Sequence, residues 1–162
     1  MRDLCATLTA VGIALAGCGG TPIPPATAPS APSGDATTQG APVAAARHRV
    51  VFEMTTDDHD QWQSVLNNVD NIRKALGPDK TDVEVVAHGS GLSMLLATNT
   101  ADRARMEELS HAGVVFAACE NTMKKKHVAK EDLLPFAMTV DSGVGELVRK
   151  QEAGWAYLKS SK

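Results

Sequence analysis

The run VVFAAC, Val114 to Cys119, has no polar position before its terminal thiol. A strand with one wet face alternates apolar and polar side chains, so a strand without that alternation needs cover on both faces. Parallel sheets supply such cover, because their crossover connections lay helices on the sheet. This run therefore suits a parallel strand covered on both sides, with helices before and after it.

The neighbouring sequence provides them. HRVVFEM, His48 to Met54, reads as a first strand. In DQWQSVLNNVDNIRKALG, the residues Trp62, Val65, Leu66, Val69, Ile72 and Leu76 recur at three- and four-residue steps, an amphipathic helix stopped by Gly77-Pro78. DVEVVAHG, Asp82 to Gly89, is a second strand, and TADRARMEELSHAG, Thr100 to Gly113, a second helix. After the third strand, TMKKKHVAKEDLLP holds one or two short helical turns. FAMTV, Phe136 to Val140, is a fourth strand, GVGELVRKQEAG a last helix, and WAYLK a short final strand. The order β-α-β-α-β-α-β-α-β predicts a single three-layer α/β domain over 47–162, with a five-stranded, mostly parallel sheet and helices on both faces. Right-handed crossovers favour the flavodoxin-like strand order 2-1-3-4-5. That order places a ligand crevice between strands one and three, with Cys119 on one wall and the loop TTDDHD, Thr55 to Asp60, on the other.

Residues 1–46 have a different character. Arg2 precedes a short apolar stretch, Leu4 to Ala16, below the ~20 residues of a membrane-spanning helix, and the stretch ends in LAGC. This is the layout of a secretory signal over 1–17, and Leu-Ala-Gly-Cys resembles the bacterial lipobox. The resemblance implies cleavage before Cys18, acylation of that cysteine, and a membrane anchor at the cell envelope on the periplasmic side. With Gly19 after it, the implied destination in a Gram-negative cell is the outer membrane. Residues 18–46, rich in Pro, Ala, Thr, Ser and Gly with no aromatic, bury too little apolar area to fold and read as a disordered tether. A flexible chain of that length reaches roughly 30 Å.

The cysteine count then matters. Of three cysteines, Cys5 leaves with the signal and Cys18 carries lipid, so Cys119 is the single thiol left and no internal disulfide forms. An unpaired cysteine in an exported protein is either buried and inert or reactive. At a strand end it meets a helix amino terminus, which favours an anion, and Asn121 or Thr122 is placed to cap that helix. Lys124, Lys125 and Lys126 add positive charge, while Glu120 opposes it. The residues alone leave both readings open.

The other motifs carry less. His88, at the carboxyl edge of strand two, is a candidate base or anion contact, or a hydrogen-bonded structural residue. His59 with Asp57, Asp58 and Asp60 has metal-ligating side chains but no second cluster to complete a site, and the expectation is helix capping and no metal. GSGLSM, Gly89 to Met94, is a candidate glycine turn beneath an anion without dinucleotide spacing. Ser142 reads as the cap of the last helix, with Glu146 in its first turn. The net charge of −3 argues against nucleic acid, and no cofactor motif is present.

Taken together, VVFEM followed by LNNVDNI, VEVVAHGSGLSML, GVVFAACENTM, DLLPFAMTVDSGVGEL and RKQEAGWAYLK resemble the DsrE/DsrF-like family, also called the YchN-like fold, over about residues 48–159. The resemblance implies a small α/β domain assembling as a trimer or hexamer. It aligns Cys119, Asn121 and Thr122 with the family's C-x-N-T motif. Some members of the family carry sulfur as a cysteine persulfide along a relay, and others have no established activity. The resemblance thus implies a candidate sulfur carrier or sulfurtransferase with Cys119 as nucleophile, Asn121, Thr122, His88 and Lys124 in support, and a donor or acceptor that is a protein or a small thiol. The alternative is a non-catalytic oligomeric or ligand-binding module with a structural cysteine.

Overall fold

The computed structural model describes residues 47–159, so the expected signal, the lipidation of Cys18 and the tether lie outside the described residues. Five strands alternate with four helices: β1 His48–Met54, α1 His59–Leu76, β2 Thr81–Ala87, α2 Arg103–His111, β3 Val115–Cys119, α3 Glu120–Lys126, β4 Met138–Val140, α4 Gly143–Glu152 and β5 Ala156–Lys159. Short 3-10 turns occupy Pro78–Lys80, Gly89–Leu95 and Lys130–Asp132. Every strand pair is parallel, as the apolar third strand requires.

The strand order is β4-β3-β2-β1-β5, which corrects the expected 2-1-3-4-5. β1 and β3 are not neighbours; β2 lies between them. The first three crossovers step in one direction across the sheet, and only the connection from β4 to β5 runs back, past three strands, to the far side of β1. Right-handed crossovers therefore put α1, α2 and α3 on one face and α4 alone on the other.

The helical pattern of α1 buries Trp62, Val65, Leu66 and Val69, while Leu76 at its end is exposed. Asp58 caps it by accepting from Asp60 N–H at 2.9 Å. The main core joins these residues to Phe52, Met54, Val83, Val85, Phe116 and Ala118 of the sheet, with Met106 and Leu109 from α2 and Met123 from α3. The 3-10 turn after β2 belongs to this layer. Gly91 is packed so closely on β1 that a Cβ there would stand 2.2 Å from Met54 O, so this glycine of GSGLSM serves close backbone packing. The opposite face holds a far smaller cluster, Val51, Val86, Ala117 and Leu147, with Val140 and Trp155 beside it. Between these lies Glu84, 4% exposed, paired with Lys150 of α4 at 2.5 Å.

Candidate functional site

Cys119 is the last residue of β3, a strand interior to the sheet, and the N-cap of α3. Alternation along β3 turns Phe116 and Ala118 toward the main core, so Ala117 and Cys119 point to the α4 face. Register then selects the neighbours of the sulfur. Ala118 pairs with Ala87, so one step further the strands bring His88 beside Cys119; on the other side Cys119 pairs with Val140.

The roof over this row is the start of α4. Ser142 caps the helix by accepting from Gly145 N–H at 3.1 Å, which sets Gly143 as its first residue. Gly143 is buried directly above the site: a Cβ there would lie 2.9 Å from His88 Cβ and 3.2 Å from Cys119 Cβ. Only a residue without a side chain brings the α4 amino terminus this close.

Cys119 is 5% exposed. Burial pushes its thiol up, but the N–H of Gly143, the hydroxyl and N–H of Thr122 and the N–H of Asn121 act against burial. Together they outweigh it and hold the thiol below the ordinary cysteine value. The sulfur forms no formal cap bond to α3, so this is stabilisation of the anion by surrounding N–H dipoles from two helix starts.

Thr122 has a second task. Its Oγ1 accepts from Gly89 N–H at 3.1 Å, tying α3 to the turn after β2. The expected capping by Asn121 or Thr122 side chains is thus replaced by Cys119 at the cap position, with no side-chain cap bond. Asn121 contributes its backbone N–H, and its side chain is on an exposed residue. Lys124, Lys125 and Lys126 sit exposed in the last turn of α3, at the opposite end of the helix from the sulfur. Their charge is not what lowers the thiol.

His88 is held from its far side. Its Nε2 lies 2.8 Å from Glu53 Oε1, and Tyr157 donates its hydroxyl to Glu53 Oε2 at 2.5 Å. Burial pushes the Glu53 carboxyl up, but the Tyr157 and His88 hydrogen bonds outweigh it and hold the group below the usual carboxylate range. The same bond to Glu53 pushes Tyr157 up to about 12. An ionised carboxylate only accepts, so Nε2 of His88 carries a proton.

The loop Thr55 to Asp60, expected as the opposite wall, serves α1 instead. Trp62 Nε1 donates to Thr56 O at 2.8 Å, and His59 pairs with buried Asp102 at 3.1 Å. Its place is taken by His88 and Gly143. Gly143, Glu53 and Tyr157 were not among the expected site residues. The available signals were a charged residue inside the apolar run VVFEM and the single tyrosine of the chain.

Residues 48–160 match the family described as DsrE/DsrF-like. Among solved structures, a protein of unknown function from Methanobacterium thermoautotrophicum is 36% identical, with a TM-score of 0.66 over 69% of this chain and 98% of that one. The ychN protein from E. coli is 10% identical, with a TM-score of 0.56 over 69% of this chain and 98% of that one. A conserved protein of unknown function from Bacteroides thetaiotaomicron is 17% identical, with a TM-score of 0.54 over 68% of this chain and 92% of that one. The last two likenesses speak for the fold alone. The comparison with curated proteins finds no match.

Proposed function

The chain belongs to the DsrE/DsrF-like family, and from that premise we propose that it is a sulfur carrier whose Cys119 alternates between thiol and persulfide. The observation that carries the reading is the placement of this one sulfur between the N–H groups of Gly143, Asn121 and Thr122, which favour an anion. Both working states are anions, a thiolate that attacks and a persulfide that delivers, and the same donors serve both. The partner is a sulfane donor or a sulfur acceptor, on a protein or a small thiol. Cys18 carries lipid and holds the domain at the cell envelope, facing the periplasm and on the outer membrane in a Gram-negative cell.

The test is loading. The full chain is incubated with a sulfane donor and the peptide containing Cys119 is weighed. A gain of one sulfur atom, removable by reductant and lost in Cys119→Ser, is the expected result. A thiol that takes up no sulfur and alkylates only on unfolding overturns the reading. The same mass spectrum, taken on protein isolated from membranes, checks for acyl chains on Cys18.

A second reading rests on its own observation. Met138 on β4 and Val144 and Val148 on α4 are exposed at 59%, 59% and 48%. An apolar surface of this kind suits contact between copies, so the domain works as a homo-oligomer, a trimer or hexamer. Without sulfur loading, this assembly becomes the function and Cys119 a buried structural residue. Light scattering that gives a monomer at micromolar concentration removes the oligomer.

A further inference from the structure

The side of α4 that meets the sheet is a narrow stripe. Steps of four and three residues align Gly143, Leu147 and Lys150, and of the ten helix residues only Gly143 and Leu147 are buried. Steps of two along β2 and just past its end put Glu84, Val86 and His88 on the facing row. The two rows run in opposite directions and meet at three places. Lys150 bonds Glu84 at 2.5 Å, Leu147 shares an apolar cluster with Val86, and Gly143 lies over His88 and Cys119.

These contacts constrain the helix differently. The contact of Leu147 with Val51, Val86 and Ala117 is apolar and has no direction, so it tolerates sliding. Gly143 has no side chain to grip with. The bond from Lys150 to Glu84 has a direction and a length, and Glu84, 4% exposed, has little room to follow a moving partner. Lys150 is held from two further sides, by the Trp155 ring at 4.2 Å and by Glu146 Oε1 at 3.5 Å. An α-helix rises 1.5 Å per residue, so a displacement at Lys150 is carried to Gly143, about 10 Å along the axis.

We propose that Glu84 and Lys150 are positioning residues, whose ion pair sets where α4 rests along the sheet and so holds the Gly143 N–H at the sulfur of Cys119. The proposal rests on the carrier reading for its purpose but not for its test. Neither charge needs to touch the sulfur: Glu84 stands four strand positions, roughly 13 Å, from His88. The groups facing Glu84 are Lys150 and Glu146 from α4. Its register partners on β1 and β3, Val51 and Val115, do not titrate. One step back along its own row, Asp82 accepts from Arg47 Nε at 2.9 Å. At the other end of the row, the titratable neighbour of Cys119 is His88, paired with Glu53.

The experiment is the pH profile of alkylation at Cys119 in the full chain, read by mass on the peptide that contains it. Removing a distant anion acts through space to lower a thiol's titration midpoint. Withdrawing an N–H donor from the thiolate raises it. Glu84→Met, which leaves Lys150 no acceptor on the sheet, is therefore expected to raise the midpoint by about half a pH unit, roughly threefold less thiolate at a given pH below it. Glu84→Gln removes the same charge but keeps an oxygen acceptor at the same reach, so its midpoint is expected nearer the wild type. In a Gly143→Ala background, Glu84→Met is expected to add no further rise, because both changes act through one N–H. A helix that only loosens would speed alkylation at every pH and leave the midpoint in place. An unchanged or lowered midpoint in Glu84→Met overturns the proposal. So do equal midpoints in the Met and Gln variants, or a rise that persists undiminished beside Gly143→Ala. If Glu84→Met does not fold, Glu84→Asp replaces it: the charge stays, the reach shortens, and an unchanged midpoint overturns the proposal. Alkylation needs no sulfur, so the expected shifts beside a thiol that never loads refute only the carrier, and loading without the shifts refutes only this positioning.

Discussion

On one face of the sheet, three helices and a 3-10 turn bury a continuous layer of large apolar side chains, among them Phe52, Leu66, Met94, Met106 and Phe116. On the other, one helix lays its Leu147 on the small or medium side chains Val51, Val86 and Ala117, and Glu53, Glu84, His88 and Cys119 stand on the same face. The first face supplies the stability. The second keeps titratable groups in partial shelter, with enough polar partners to hold them. A thiol facing the first layer would be raised by burial and inert. The parity of one strand decides which: Ala118 faces the first layer, and Cys119 the second.

The largest effect to expect is therefore on the first face. Leu66→Ala leaves a cavity among large apolar side chains, at a loss of about 2–5 kcal/mol. Urea unfolding read by far-ultraviolet circular dichroism measures it. The pH profile of Cys119 alkylation in the folded variant stays that of the wild type. A shifted profile would show that the two faces are not independent.

The next effect is on the second face and depends on pH. Burial raises the Glu84 carboxyl against the opposing bond from Lys150. Lys150 also sits 4.2 Å from the centre of the Trp155 ring. Lys150→Met removes the partner of a buried anion; the lysine is itself partly exposed, so the loss is about 1–3 kcal/mol at neutral pH. Because the folded pKa of Glu84 lies above its unfolded value, its contribution to stability is fully present below the unfolded value. It is lost as pH rises through the folded one. The variant therefore regains stability as pH falls through Glu84's raised pKa, whereas Leu66→Ala does not share this recovery. Melting temperatures at acid and neutral pH separate the two.

How much of this contrast the residues announce on their own differs between the faces. The strands and helices are legible because each follows a local period: α1 buries Trp62, Val65, Leu66 and Val69 as its three- and four-residue steps require, and β3 is apolar throughout because both its faces are covered. Cys119 falls where that run stops, at the carboxyl end of an interior strand. The strand order is not local. It depends on which crossover reverses, and the periods of α1 to α4 are the same in either arrangement. With the wrong neighbour for β3, the loop at Thr55 to Asp60 took the place that His88 and Gly143 occupy. Glu53 and Tyr157 meet across a separation of 104 residues, and nothing in VVFEM or WAYLK names the partner.

Gly143→Ala tests the contact that joins α4 to the site. The added methyl meets Cβ atoms of His88 and Cys119, neither of which is a flexible tip, so the helix start must move outward. Overpacking of this kind costs about 1–3 kcal/mol. The displaced Gly143 N–H no longer favours the thiolate, so the alkylation midpoint of Cys119 rises. Loss of stability without a change of midpoint would mean that the α3 side alone sustains the anion.

The smallest effect belongs to Lys124, and its smallness is the point. Its charge is an appealing source of a low thiol pKa when only the order Cys-Glu-Asn-Thr-Met-Lys is known. In the fold it lies in the last turn of α3, beside Met123, Val128, Lys130 and Thr139, on the side of the sheet that Cys119 does not face. It is exposed, and at physiological salt exposed charges are screened within about 8 Å. Lys124→Ala is expected to leave the alkylation midpoint unchanged and stability within about 0.5 kcal/mol. Thr122→Val, two residues earlier, removes the hydroxyl that faces the sulfur and raises the midpoint. Measured side by side at low and high salt, the lysine variant should follow the wild type at both, and the threonine variant neither. A lysine variant whose midpoint rises at low salt and returns to the wild-type value at high salt would mean that charge from the sealed face reaches the open one.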